Sequence, residues 1–205
     1  MSPISYPNFV NTSDIHEIGN STHRYILYIP FNKKNTDHDT LVVVLKNPSK
    51  ATPYQADVTV SKVCNVAYYN GYASVIILNL FPIRSTNPSG VLQLYNNPDF
   101  DSIMEENFVH IKNECKNRDV ILAWGKDSIS KSSLNSKRNK EIYKKVVRRV
   151  TRIVSKYAAK TFFVRSCSCP HQSNKCVISC AKPHSERYPL HGQRWCNQEK
   201  LITYN

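Results

Sequence analysis

The chain has 205 residues, 40% of them hydrophobic and 10% aromatic, which excludes a disordered chain and suffices for one domain with a proper core. Only 5 glycines exclude Gly-rich or collagen-like material, and 28 Lys plus Arg against 15 Asp plus Glu leave a formal charge of +13, which favours an anionic partner. No apolar run reaches the roughly 18 to 20 residues needed to cross a bilayer, and residues 1–25 lack the charged-then-apolar order of a signal peptide, so a cytoplasmic protein is expected.

In chain order, residues 1–23 read as an N-terminal extension, residues 25–29 as a first strand and residues 32–39 as an exposed polar loop. Four short apolar runs follow: 41–45 (LVVVL), 75–78 (VIIL), 120–124 (VILAW) and 161–164 (TFFV). They are branched or aromatic and do not alternate, as expected of parallel strands buried on both faces. Helical stripes lie between them. Val60, Val63, Cys64 and Ala67 mark one, stopped at Gly71, where a left-handed residue fits. Met104, Phe108, Ile111 and Cys115 mark a second, entered through Asp99 and Asp101; Ile142, Val146, Val150, Ile153 and Tyr157 mark a third. The order predicts a single α/β domain, residues 1–205, with a mostly parallel central β-sheet flanked by helices on both faces.

The charge is concentrated. From Lys126 to Arg165 there are 13 Lys or Arg against Asp127 and Glu141, so this stretch holds +11 of the +13. It includes a Ser, Lys and Asn-rich linker, 126–140, expected to be mobile, and Lys144, Lys145, Arg148 and Arg149 on the third helix. Such a face either grips phosphates or is simply solvated; the 12 tyrosines and interspersed Ser and Asn tilt the reading toward nucleic acid.

Ligands of open parallel sheets bind beyond the carboxyl ends of the strands. There the chain delivers Lys46-Asn47-Pro48-Ser49, then Asn79 and residues 81–84, then Trp124-Gly125. Asn47 before Pro48 either begins a turn or faces a cleft, and Asn79 gives the same rim a second carboxamide.

The ordered set Asn47-Pro48-Ser49, Asp57, Thr59, Asn79-Leu80-Phe81, Arg84, Pro88, Ala123-Trp124-Gly125 and Arg187-Tyr188-Pro189-Leu190 resembles a bacterial family of unknown function. That family in turn resembles the uracil-DNA glycosylase superfamily. The resemblance spans residues 24–193 and implies an N-glycosidic hydrolase that flips its target base without a required cofactor; a monomer acting on single- or double-stranded uracil-containing DNA is the expectation. It implies that Asn47 orients water, that Asn79 reads the flipped base, and that Trp124-Gly125 is structural. The last motif usually has histidine before proline. Here Tyr188 stands in that position and His191 follows, so either side chain is a candidate to stabilise the leaving base. Lys46, Ser49, Arg84, Lys144, Arg148 and Arg187 are the DNA-binding candidates.

The chemistry suits these residue types. A carboxamide offers one acceptor for uracil N3–H and one donor for O4, and cytosine presents the reverse pattern. Tyr54 and Phe81 are candidates to stack on the base or to line its wall, and Asp57 is either a general base or the cap of the following helix. Cys167, Cys169, Cys176 and Cys180, with His171 and His184 nearby, lack a standard zinc-ribbon spacing and read as reduced thiols rather than metal ligands. The alternative function is a DNA-binding protein that keeps the fold without catalysis. A zinc deaminase would need an H-x-E paired with a P-C-x-x-C, a pairing the chain lacks, and both G-x-G-x-x-G and a P-loop lysine motif are missing.

Overall fold

The computed structural model of the chain describes residues 4–32, 38–85, 88–125, 137–164 and 201–203. Its strands are β1 (His16–Gly19), β2 (Arg24–Pro30), β3 (His38–Leu45), β4 (Tyr72–Asn79), β5 (Asp119–Leu122), β6 (Lys160–Val164) and β7 (Leu201–Thr203). Its helices are α1 (Val58–Tyr69), α2 (Pro88–Tyr95), α3 (Phe100–Cys115) and α4 (Lys137–Tyr157). One seven-stranded sheet runs β1-β2-β4-β3-β5-β6-β7. The inner strands β4, β3, β5 and β6 are parallel, and the outer β1, β2 and β7 pair antiparallel to their neighbours.

The non-alternating runs are explained by two cores. Leu41, Val43 and Leu45 of β3 face α1, with Val75, Ile77 and Ile121, whereas Val42 and Val44 face α2, α3 and α4, with Ile76, Leu78, Val120 and Leu122. Each such side chain contributes on the order of 1.5–3 kcal/mol by leaving water, so a polar residue on these strands needs a specific reason. The expected α/β architecture, with helices on both faces, is what forms.

Four local readings change. Residues 4–19 are built into the fold: Phe9 stacks on Tyr68 of α1 at 3.9 Å, Val10 bridges Phe31, and β1 pairs with β2. Strand β5 ends at Leu122, and Trp124 turns into the core, 1% exposed. Helix α4 starts at Lys137, so the end of the expected linker is helical. The buried stripe of α4 is Tyr143, Val146, Val150 and Val154, with Ile142 and Ile153 only partly buried, because the Tyr143 ring packs near Phe81 at 6.0 Å. Gly71, with φ 88°, takes the left-handed stop expected after α1. Among the described residues no helix is long and apolar enough to cross a membrane.

Candidate functional site

The strand order fixes where a crevice can form. The connection after β3 leads to β4 on one side, and that after β5 leads to β6 on the other, so the chain diverges beyond the carboxyl ends of β3 and β5. The segment 46–57 after β3, the turn after Asn79 and Trp124-Gly125 therefore share one rim. Gly125 has φ 71°, a left-handed conformation that lets the chain leave the sheet directly after the buried Trp124. Helix α4 begins at this rim and ends at the opposite one, since Tyr143 lies beside Phe81 while Tyr157 O accepts from Asn117 N at 2.9 Å, just ahead of β5.

At the end of β4, Asn79 registers with Leu45 of β3, and the pairing continues as Leu80 N donates to Leu45 O (2.8 Å) and Phe81 N to Lys46 O (2.9 Å). Strand alternation puts the Asn79 side chain opposite Leu78 and Leu80, on the α1 side of the sheet. It is 0% exposed, and neither Oδ1 nor Nδ2 has a hydrogen-bond partner among the described residues. From the other face Asn107 of α3, also 0% exposed, donates through Nδ2 to Asn79 O (3.0 Å) and Leu80 O (3.2 Å). The backbone of this turn is thus held by a buried amide while the Asn79 side chain is left unbonded.

Asn47 differs. It is half-buried, and its Nδ2 donates to Ser85 O and, at 3.3 Å, to Pro48 O, tying the turn after β3 to the segment after β4. Lys46 is buried, and Ser49 is half-buried with Oγ accepting from Ala51 N at 3.4 Å. Asp57 caps α1, its Oδ1 accepting from Val60 N at 2.9 Å. Of its two sequence readings, the cap is the one with a visible bond. The aromatic candidates separate completely: Tyr54 is 95% exposed, whereas Phe81 is 0% exposed and packs edge-on against Tyr95 at 5.6 Å.

Among the cationic candidates, Arg84 is half-buried and pairs with Glu17 Oε1 at 2.7 Å, also donating to Asn20 O at 3.0 Å. Lys144 and Arg148 are exposed on α4, with Lys144 paired to Glu141 at 2.9 Å. Arg149 forks onto Glu105 of α3 and lies over the Phe108 ring at 4.1 Å. Arg187, Tyr188, His191 and the cysteines from Cys167 to Cys180 fall outside the described residues.

Arg24 escaped the sequence reading. It opens β2, which runs antiparallel to β4, so its backbone lies at the same rim and donates from N to Pro82 O at 2.8 Å. Its side chain is 1% exposed; Nη1 donates to Ala51 O at 2.5 Å and lies 4.0 Å from Glu17 Oε2. Burial, reinforced by the nearby Arg84 cation, pushes its pKa down to about 10. Tyr6 braces the same segment, donating its hydroxyl to Thr52 O at 2.6 Å, and burial pushes that hydroxyl's pKa up. The available signal was a lone charge at the mouth of the apolar run YILYI.

No curated protein and no solved structure matches the chain. A family profile does match, over residues 24–177, which is most of the sequence and includes every described element of this rim except β1 and the preceding segment. The chain belongs to the family described as protein of unknown function (DUF1643).

Proposed function

We propose that this chain is a DNA glycosylase that hydrolyses the N-glycosidic bond of uracil, or of a related modified base, after extruding the nucleotide from the stack. The observation that carries the reading is Asn79: a carboxamide with both polar atoms buried and, among the described residues, unbonded, at the rim where ligands of such sheets bind. An unsatisfied buried polar group costs about 1–3 kcal/mol, and a pyrimidine edge supplying one donor and one acceptor would recover that cost. Uracil offers N3–H and O4 in the required pattern, and cytosine opposes it at both atoms.

Electrostatics supports the same reading. The amino-terminal end of α4 brings exposed Lys137, Arg138, Lys144 and Lys145 toward this rim, where they would lower the cost of drawing a phosphate backbone against the protein. The ordered motifs that resemble the uracil-DNA glycosylase superfamily point to the same chemistry, with Asn47 as the water-side residue and Tyr188 or His191 as donor to the departing base. No cofactor is invoked. The test is incubation of the full chain with an end-labelled uracil-containing oligonucleotide followed by alkaline cleavage of abasic sites. Strand scission that disappears in Asn79→Ala is the expected result, and intact substrate at enzyme excess overturns the reading.

A second reading is DNA binding without catalysis. It is favoured by the bonds that occupy two proposed reacting groups: the Asn47 amide is held by backbone carbonyls, and the Asp57 carboxylate caps α1. Salt-sensitive oligonucleotide binding with no base release from any uracil-containing strand would select it.

A further inference from the structure

The segment after β3 carries a small hydrogen-bonded projection. Thr52 and Gln55 bond to each other in both directions, Thr52 N to Gln55 O at 2.8 Å and Gln55 N to Thr52 O at 3.2 Å, closing a turn over Pro53 and Tyr54. Pro53 suits the second position of such a turn because its φ is preset. The base of the projection is anchored in the interior. Ala51 and Ala56 are 1% and 4% exposed, the buried Arg24 holds Ala51 O, the Tyr6 hydroxyl holds Thr52 O, and Ile4 bridges Ala56. At its tip stands Tyr54, 95% exposed. An aromatic ring left in water forgoes the stabilisation of burial, and a ring on a braced turn loses little backbone freedom when it meets a partner.

We infer that Tyr54 is a stacking platform for an unpaired base flanking the bound nucleotide, and that it gives the chain a preference for single-stranded nucleic acid. This rests on the nucleic-acid reading above. Tyr54 follows β3, and so belongs to the rim where Asn79 ends β4 and α4 brings its cations. A ring this exposed lies outside any pocket closed around a target base, so its partner is a neighbouring base whose face is accessible. In a duplex both faces of each internal base are already covered; in a single strand they are free, and stacking on an aromatic tolerates any sequence. The chain's +13 charge selects a polyanion over an uncharged aromatic partner.

The experiment measures binding of the full chain to a thymine-only single strand and to a duplex of equal length, neither containing uracil. Tyr54→Ala should weaken the single strand about tenfold and the duplex by less than about twofold, and Tyr54→Phe should match the parent. Tyr6→Phe, which keeps the ring and removes one anchor, should weaken the single strand by an intermediate factor. A 2-aminopurine placed in the single strand should lose fluorescence on binding to the parent and keep it with Tyr54→Ala. Equal single-strand affinity for parent and Tyr54→Ala, or equal losses on both substrates, overturns the inference. Uracil release assayed in parallel separates the two claims. Release that persists while Tyr54→Ala changes no affinity sinks only the platform, and a Tyr54-dependent single-strand preference without release sinks only the glycosylase. If the parent binds neither oligonucleotide, the platform falls, and the glycosylase reading stands or falls on uracil release alone.

Discussion

Asn47 lies just beyond β3 and Asn79 ends its parallel neighbour β4, yet Asn47 gives its amide protons to backbone carbonyls whereas both polar atoms of Asn79 are buried without a partner among the described residues. The first holds two connecting segments together. The side chain of the second makes no bond among the described residues, although its burial is costly, and under the function proposed above that contrast separates a side chain serving the fold from one that reads a base. Arg24 belongs with Asn47: it is buried as deeply as Asn79, but it holds a carbonyl of the segment 46–57 and approaches Glu17.

The bonded side of this contrast is tested hardest at Arg24. Arg24→Ala leaves Ala51 O and Glu17 behind and should cost about 3–5 kcal/mol in urea unfolding; a loss below about 1 kcal/mol would mean the guanidinium braces nothing. At Asn79 the sign should reverse. Asn79→Leu removes two unbonded polar atoms and should stabilise the ligand-free protein by about 1–3 kcal/mol while abolishing base release. Destabilisation by a similar amount, with unchanged activity, would move Asn79 to the structural side. Asp57→Ala should cost about 1 kcal/mol through loss of the α1 cap, and activity that survives with only that loss would remove the general-base role.

The smallest effect is one of pH. Tyr25 donates to Glu106 Oε2 at 2.8 Å, and burial, with that bond, pushes its pKa up to about 12. Below pH 10 both folded and unfolded chains keep the phenolic proton. Between pH 10 and 12 the unfolded chain releases it first, so stability should fall as pH rises through that window. Tyr72, bonded to Asp119 at 2.9 Å and raised by burial, adds to the same loss. Thermal melts of Tyr25→Phe should show a shallower alkaline decline than the parent.

The inner strands were legible because burial on both faces leaves continuous apolar runs, and α1 and α3 because their stripes keep helical spacing. Strand β1 (HEIG) is mostly exposed and carries no such run, and α2 is a short helix in a Pro, Ser and Gly-containing stretch; neither leaves a periodic trace. The buried stripe of α4 lies a fraction of a turn from the expected one because Tyr143, despite its polar tip, packs as core. The two rim asparagines were equally visible. What separated them was the conformation of residues 47–48 and the approach of Ser85, a contact 38 positions away that no local pattern encodes. The Arg24 brace is similarly non-local, reaching Ala51 across 27 positions.

The matched span, 24–177, omits β1 with Glu17, the Tyr6 and Phe9 contacts, and β7. A polypeptide trimmed to those limits would uncover the outward hydrogen-bonding groups of β2 and β6 and strip Arg84 of its carboxylate partner. Bare margins of this kind template intermolecular pairing, so domain-limited expression should give material that self-associates more than the 205-residue chain does.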